Sequence, residues 1–397
     1  MDTFFPKIGI DEFGQRLDNF KAKMRTNGID LAVIYSNLCD PSAVRYFSDV
    51  SPINENIALL IPLEGDPILC SGQACHEWSA YNSKIKDIRI MPEVGEVAGT
   101  EYTLEGQLDF EELFKEVKAR YKVRKIGYIG ELIIPFCITS KAARVFPDAE
   151  FVMAEKLLYE LRIYKSENEI ACVRKACNIM SNAFAYAVPR AVEGVTELDV
   201  EADLTYSFLK QGAESACYAL TPMIGSGPER SNLCQARNSL RTIKNGEITS
   251  TVGGCCYQGY SGVISTPIVP GKIPDEIKRT VRIAHECLHH VADHMKPGAS
   301  SIELINVYQN FLKKNGGLEK YSPYSAVHSL GMIECEYPFF GPSSKTVMVE
   351  NMTVAIDVYI KGLSWGSFRV EDTFVIRKHG AEMLTSFNDK YIPETFR

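Results

Sequence analysis

A chain of 397 residues that is 45% hydrophobic and 23% charged, with a formal charge of −7 and a pI near 5.7, is neither a disordered protein nor one with a basic footprint for nucleic acid, and its length suits two domains better than one core. No apolar run reaches the roughly 18 residues a membrane span needs, and the opening MDTFFPKIGIDEF lacks a basic-then-apolar leader, so no membrane partner is expected. Twelve cysteines without a C-x-x-C pair read as free thiols of a reducing cytoplasm, and for the same reason a structural zinc site is not expected.

Phe13, Leu17, Phe20 and Met24 recur at helical spacing, and Gly28 follows as a stop. Strands are expected over 30–37, over 57–62 and 66–72 as a hairpin around Glu64-Gly65, over 125–131 and near 150–155, with an amphipathic helix over 109–121. This is an α/β domain over residues 1–158, with no Gly-rich phosphate loop. Beyond it Ser166 and Glu169 form a capping box that opens a helix burying Ile170, Val173, Cys177, Met180 and Phe184. A helix over about 196–212, strands and turns over 219–271, helices near 275–295 and 300–315, and strands over 354–360 and 368–376 complete the second domain, 159–397. Helices bracketing a strand-rich interior predict an α+β domain with helices outside a curved antiparallel sheet.

Four stretches carry a resemblance: R-I-Y-K-S-x-x-E-I (162–170), N-G-E-I…G-G-x-x-Y-x-G-Y (245–260), H-S-L-G…E-Y-P (328–338) and R-V-E-D-T (369–373). Together they resemble the creatinase / aminopeptidase P family, whose C-terminal domain has the pita-bread fold, over nearly the whole chain. The resemblance implies a homodimer in which the N-terminal domain of one chain, through the 51–56 loop, stands near the other chain's pocket.

Peptidases of that family hold two metal ions with two Asp, one His and two Glu. In this chain the two Asp positions fall on Val252 and Val263, while His328, Asp357 and Glu371 occupy the other three. Valine offers no lone pair, so the dinuclear site cannot form. Where the peptidases show His-Glu-x-Pro, this chain has Cys335-Glu336-Tyr337-Pro338. These departures point to the metal-free creatinase-like branch. The creatinase base, however, falls on or near Gln235, and the N-terminal arginine that meets the substrate carboxylate maps near Glu55, so creatine is not the expected substrate.

The leading expectation is a metal-independent hydrolase acting on a C–N bond of a small cationic or amide-like compound, with no cofactor. His328 exchanges protons, Asp357 and Glu371 orient the substrate, and Gln235, Tyr260, Cys335, Glu336, Arg369 and Glu55 line its binding place. Asp357 needs a partner if buried, and Arg369 is the candidate. Two alternatives stay open: a mononuclear dipeptidase with one Mn²⁺ or Zn²⁺ on His328, Asp357 and Glu371, and a catalytically silent binding protein. Cys255, Cys256 and Cys335 read as small core residues, a nucleophilic thiol being the other possibility.

A competing motif, His285-Glu286-Cys287-Leu288-His289, matches the zinc-protease pattern H-E-x-x-H. Ile277, Val281, Ala284, Leu288, Val291 and Met295 make its segment an ordinary amphipathic helix with the histidines on one flank. Glu303, the third ligand considered, already belongs to the capping box Ser300-x-x-Glu303. The motif is therefore set aside as a catalytic centre.

Overall fold

The computed structural model describes residues 5–96, 108–218 and 220–397. The chain divides into two compact units, Ile8–Arg162 and Ile163–Arg397 with the first residues of the chain. Among the described residues no helix is long and apolar enough to cross a membrane, and all twelve cysteines are free.

The first unit is built on six strands: β1 (Leu31–Ser36), β2 (Ile57–Pro62), β3 (Ile68–Ser71), β4 (Asp87–Ile90), β5 (Lys125–Ile129) and β6 (Glu150–Met153), in the order β4-β3-β2-β1-β5-β6. The β1–β2 and β2–β3 pairs are antiparallel and the other three parallel. Parallel neighbours need crossovers, and the connection to β5 carries the helix Phe110–Arg120, opened by an Asp109–Glu112 capping box. That helix buries Phe110, Leu113, Phe114 and Val117 on the sheet residues Leu31, Val33, Leu60 and Ile126.

Among the described residues the second unit holds eight strands: β7 (Ser215–Ala216), β8 (Met223–Ser226), β9 (Thr249–Tyr257), β10 (Tyr260–Ile268), β11 (Val327–Ser329), β12 (Thr353–Leu363), β13 (Gly366–Arg377) and β14 (Gly380–Met383). The main path is β11-β12-β13-β10-β9-β7, with β14 on β13 and β8 on β9, and every pair is antiparallel. Side chains alternate faces along a strand, and here the alternation sorts core from site. Val354, Ile356, Val358 and Ile360 of β12, with Val370, Phe374 and Ile376 of β13, pack with Ile277, Val281, Ala284, Leu288 and Val291 of the helix Asp275–Ala292. The intervening residues Asp357, Tyr359, Arg369, Glu371 and Thr373 face the other way. On β10 the helix Glu167–Ala187 comes so close that a Cβ on Gly262 would run into the backbone of Ala176 and Cys177. Its Ser166–Glu169 capping box is formed. The architecture is an α/β unit followed by a unit of antiparallel sheet with helices on one side.

Candidate active site

The register of four strands sets out one row of the site. Asp357 on β12 lies opposite Glu371 on β13, Glu371 opposite Ser265 on β10, and Ser265 opposite Val252 on β9. Antiparallel pairing puts all four side chains on the face away from the helix Asp275–Ala292. His328 enters from the edge strand β11, opposite Ala355. Its Nε2 stands 3.2 Å from Glu371 Oε1 and 3.5 Å from Glu334 Oε1, with side chains exposed by 17% for His328, 24% for Glu334 and 2% for Glu371. Ser265 Oγ donates to Glu371 Oε2 at 2.6 Å, which leaves Oε1 turned to the imidazole.

Charge and burial compete at each group. Burial alone would lower the His328 pKa, but hydrogen bonds with Cys335 and Glu371 and the charges of Glu334 and Glu371 outweigh it, so the imidazole is held well above its ordinary value. Burial pushes Glu371 up, yet the hydrogen bond and charge of His328, with Ser265, bring it below the usual carboxylate range. Glu334 is raised by burial, eased by His328 and reinforced by Glu371 and Asp357. A protonated His328 therefore neutralises a carboxylate pair that otherwise repels.

Asp357 is spoken for on one oxygen. Its Oδ2 accepts from Tyr324 Oη at 2.6 Å and from an Arg369 Nη1 ion pair, while Oδ1 is buried with no hydrogen-bond partner. Arg369 also reaches Cys234 Sγ at 3.0 Å through Nη2 and lies 4.1 Å over the Tyr359 ring. Next to this pair opens a cleft lined by Met223, Cys234, Ala236, Val252, Tyr359 and Arg369. Val252 and Val263 close the neighbouring ground as an apolar cluster with Cys217 and Leu220.

The donor set answers which ions the site fits. The ligand atoms of His328, Glu334 and Glu371 all lie within 4.8 Å of one another, so one divalent cation suits the place. A second ion would face Val252 and Val263, which offer it nothing. The expected single-ion set of His328, Asp357 and Glu371 thus differs from the converging one by Glu334, since Arg369 and Tyr324 hold Asp357.

The remaining expected residues are scattered in role. Gln235 is exposed in the loop that carries Cys234 and Ala236 at the cleft. Tyr260 is buried and its hydroxyl donates to Glu169 Oε1 at 2.7 Å, tying β10 to the helix behind it. Cys335 is exposed, and Cys255 and Cys256 are fully buried. Glu336 forms a buried ion pair with Lys165 Nζ at 2.8 Å, packed so closely against Gly331 that no larger residue fits there. Glu55 belongs to the first unit, where its buried carboxylate accepts the amide N–H of Cys75 at 2.8 Å. Sequence reasoning passed over Glu334 and Tyr324. The signal for Glu334 was its place beside Cys335 in the His328 block; nothing in the sequence marked Tyr324.

Residues 171–378 match the metallopeptidase family M24, and residues 16–164 match the creatinase/prolidase N-terminal domain. The chain is 30% identical over 280 residues to an Xaa-Pro dipeptidase of Pyrococcus horikoshii, covering 69% of this chain and 78% of the relative. It is 28% identical over 374 residues to an Xaa-Pro dipeptidase of Pyrococcus furiosus, covering 94% and 97%. The solved prolidase of Pyrococcus horikoshii superposes with a TM-score of 0.79 at 26% identity, covering 94% of this chain and 98% of that one. The N-terminal α/β domain with a pita-bread C-terminal domain is thereby the fold of this chain, and the relatives are dipeptidases, hydrolases of a C–N bond as expected. The same matches overturn the expectation of a metal-independent, creatinase-like hydrolase with no cofactor, because the matched family is a metallopeptidase family and the matched relatives are Xaa-Pro dipeptidases. The physical reason lies in the donor set: Val252 and Val263 offer no oxygen, but His328, Glu334 and Glu371 still bring their ligand atoms within 4.8 Å of one another.

Proposed function

The chain belongs to metallopeptidase family M24, and on that premise we propose that it is a dipeptidase of the Xaa-Pro type working with a single divalent cation, Mn²⁺ or Zn²⁺. The observation that carries the reading is the convergence of His328, Glu334 and Glu371 on one point. Those three residues would hold the ion. When bound, such an ion polarises an amide carbonyl and makes a water molecule acidic.

The chain's own groups do the rest. Ser265 fixes Glu371 so that its Oε1 is presented to the centre. Glu334, the more exposed carboxylate, takes the proton of the attacking water and returns it to the amine nitrogen as the C–N bond breaks. Asp357 Oδ2 holds Tyr324 and Arg369 in place beside the cleft. Arg369, beside the apolar wall of Met223, Val252 and Tyr359, is the cation at the cleft that a substrate carboxylate would meet. Relatives named for Xaa-Pro dipeptides are consistent with that cleft chemistry. The free thiols suit a reducing compartment, so the cytoplasm is part of this reading, as is the homodimer implied by the family resemblance. Light scattering at micromolar concentration tests the latter.

The decisive experiment measures hydrolysis of a panel of Xaa-Pro and other dipeptides by the purified chain, before and after dialysis against chelator, and after adding back Mn²⁺ or Zn²⁺. Activity that disappears and returns with the ion supports the proposal. Hydrolysis indifferent to chelator, or no hydrolysis of any dipeptide with either ion present, sinks it.

A further inference from the structure

The H-E-x-x-H motif set aside as a catalytic centre reappears in the structure with a partner the sequence did not suggest. His285 and His289 stand one turn apart on the helix Asp275–Ala292, and the segment Phe387–Thr395, a helix absent from the sequence reading, lays Asp389 against both. Asp389 Oδ1 is 3.1 Å from His285 Nε2 and 2.8 Å from His289 Nε2, and the two Nε2 atoms are 3.2 Å apart. The imidazole rings are nearly perpendicular, at 86°.

Protons alone cannot satisfy that triangle. The carboxylate oxygen only accepts, so both histidines must carry a proton on Nε2 to bond it, and then two N–H groups confront each other across 3.2 Å. If one Nε2 is bare, its lone pair confronts either the carboxylate or a proton already engaged. Every arrangement of protons leaves one edge of the triangle repulsive or unfilled. A cation in the centre satisfies all three edges at once. Ligands about 2.0–2.1 Å from such an ion lie about 2.8–3.0 Å apart in an octahedron and about 3.3–3.4 Å apart in a tetrahedron, a range that spans the edges seen here. Two imidazole nitrogens and one carboxylate oxygen are the donor class of a first-row transition ion such as Zn²⁺, not of Ca²⁺ or Mg²⁺.

The site is also built from behind. Asn388, fully buried, donates through Nδ2 to the carbonyls of Ser265 and Glu371 and to Asp372 Oδ2, at 3.0–3.1 Å, and so fixes the turn of helix that presents Asp389. His285 is buried, whereas His289 and Asp389 have side chains exposed by 40% and 47%, which leaves the remaining coordination positions open to solvent. The helix Asp275–Ala292 lies on the side of the sheet opposite His328, and Glu286 is exposed to solvent, so this is not a second peptidase centre.

We propose that His285, His289 and Asp389 form a transition-metal site, separate from the candidate active site, that clamps the helix Phe387–Thr395 to the helix Asp275–Ala292. The probe is Zn²⁺ alone, titrated into chelator-stripped full-length protein, with bound metal counted after equilibrium dialysis and the melting curve recorded at each step. His289→Ala should lose one zinc equivalent relative to wild type and lose the corresponding part of the zinc-induced rise in melting temperature. Asp389→Asn, a near-isosteric change at a half-exposed position, should weaken the same equivalent, and it keeps the test usable if the alanine variant folds poorly. His328→Ala should keep this equivalent. Equal zinc stoichiometry, affinity and thermal shift in wild type, His289→Ala and Asp389→Asn would overturn the proposal, whatever the fate of the dipeptidase reading.

Discussion

Asp357 and Glu371 face each other directly across β12 and β13, yet they live in different electrostatic company: Glu371 meets His328, while Asp357 is paired with Arg369. One cross-strand pair thus supplies a carboxylate for the centre and another for the cleft beside it. Geometry this specific makes separate demands on each residue, and each can be tested.

His328→Ala should lower dipeptide turnover and metal binding together, because it removes one of the three ligands that would hold the ion. The comparison requires variants with matched melting curves; a His328→Ala protein as active as wild type contradicts the assignment.

The buried pair Lys165–Glu336, with side chains 2% and 3% exposed, predicts an asymmetric stability effect. Lys165→Met removes the ammonium from beside a buried carboxylate and should cost about 3–5 kcal/mol, whereas Lys165→Met with Glu336→Gln should recover part of the loss. Urea denaturation of the two variants decides it: equal losses mean the pair is not coupled.

Asp372 is pushed up to about 7 by burial, against the hydrogen bonds of Thr385 and Asn388. Its folded pKa lies above its unfolded value of 3.8, so the folded protein binds the extra proton between the two. The stability it contributes is fully present below the unfolded value, falls as pH rises, and is gone above about 7. Melting temperatures of wild type and Asp372→Asn, compared from about pH 5 to 8, should diverge in favour of the variant as pH rises. A difference that stays constant with pH removes Asp372 as the cause.

Val252 and Val263 test the single-ion reading from the other side. Val252→Asp with Val263→Asp places carboxylates in an apolar cluster and should destabilise the chelator-treated protein by roughly 3–5 kcal/mol. Mn²⁺ or Zn²⁺ should restore part of that loss. Full stability in chelator would mean that these positions are wetter than the packing indicates.

What could be read from the sequence was whatever has a period or a local signature. Phe13, Phe20 and Met24 are buried on one face of the first helix, and the boxes at Ser166 and Ser300 cap their helices as spaced. The alternation along 368–376 put Arg369 and Glu371 on one face, and the register of the two strands adds Asp357 to it. The helix Phe387–Thr395 escaped because it is short and carries Pro393 inside it. Glu334 and Tyr324 escaped for a different reason: both arrive from loops, where no periodicity says which side chain turns inward. The inference from two valines to a metal-free site is overturned by the family match, and it had left the loop carboxylate of Glu334 out of the donor set.

Asn388 bridges the carbonyls of Ser265 and Glu371, the residues where β10 and β13 meet, and it follows every strand of the sheet in the sequence. During synthesis, then, all eight strands emerge from the ribosome before the side chain that ties the two central ones together. A chain ending before residue 388 would carry every strand of the sheet without the amide that joins the carbonyls of Ser265 and Glu371.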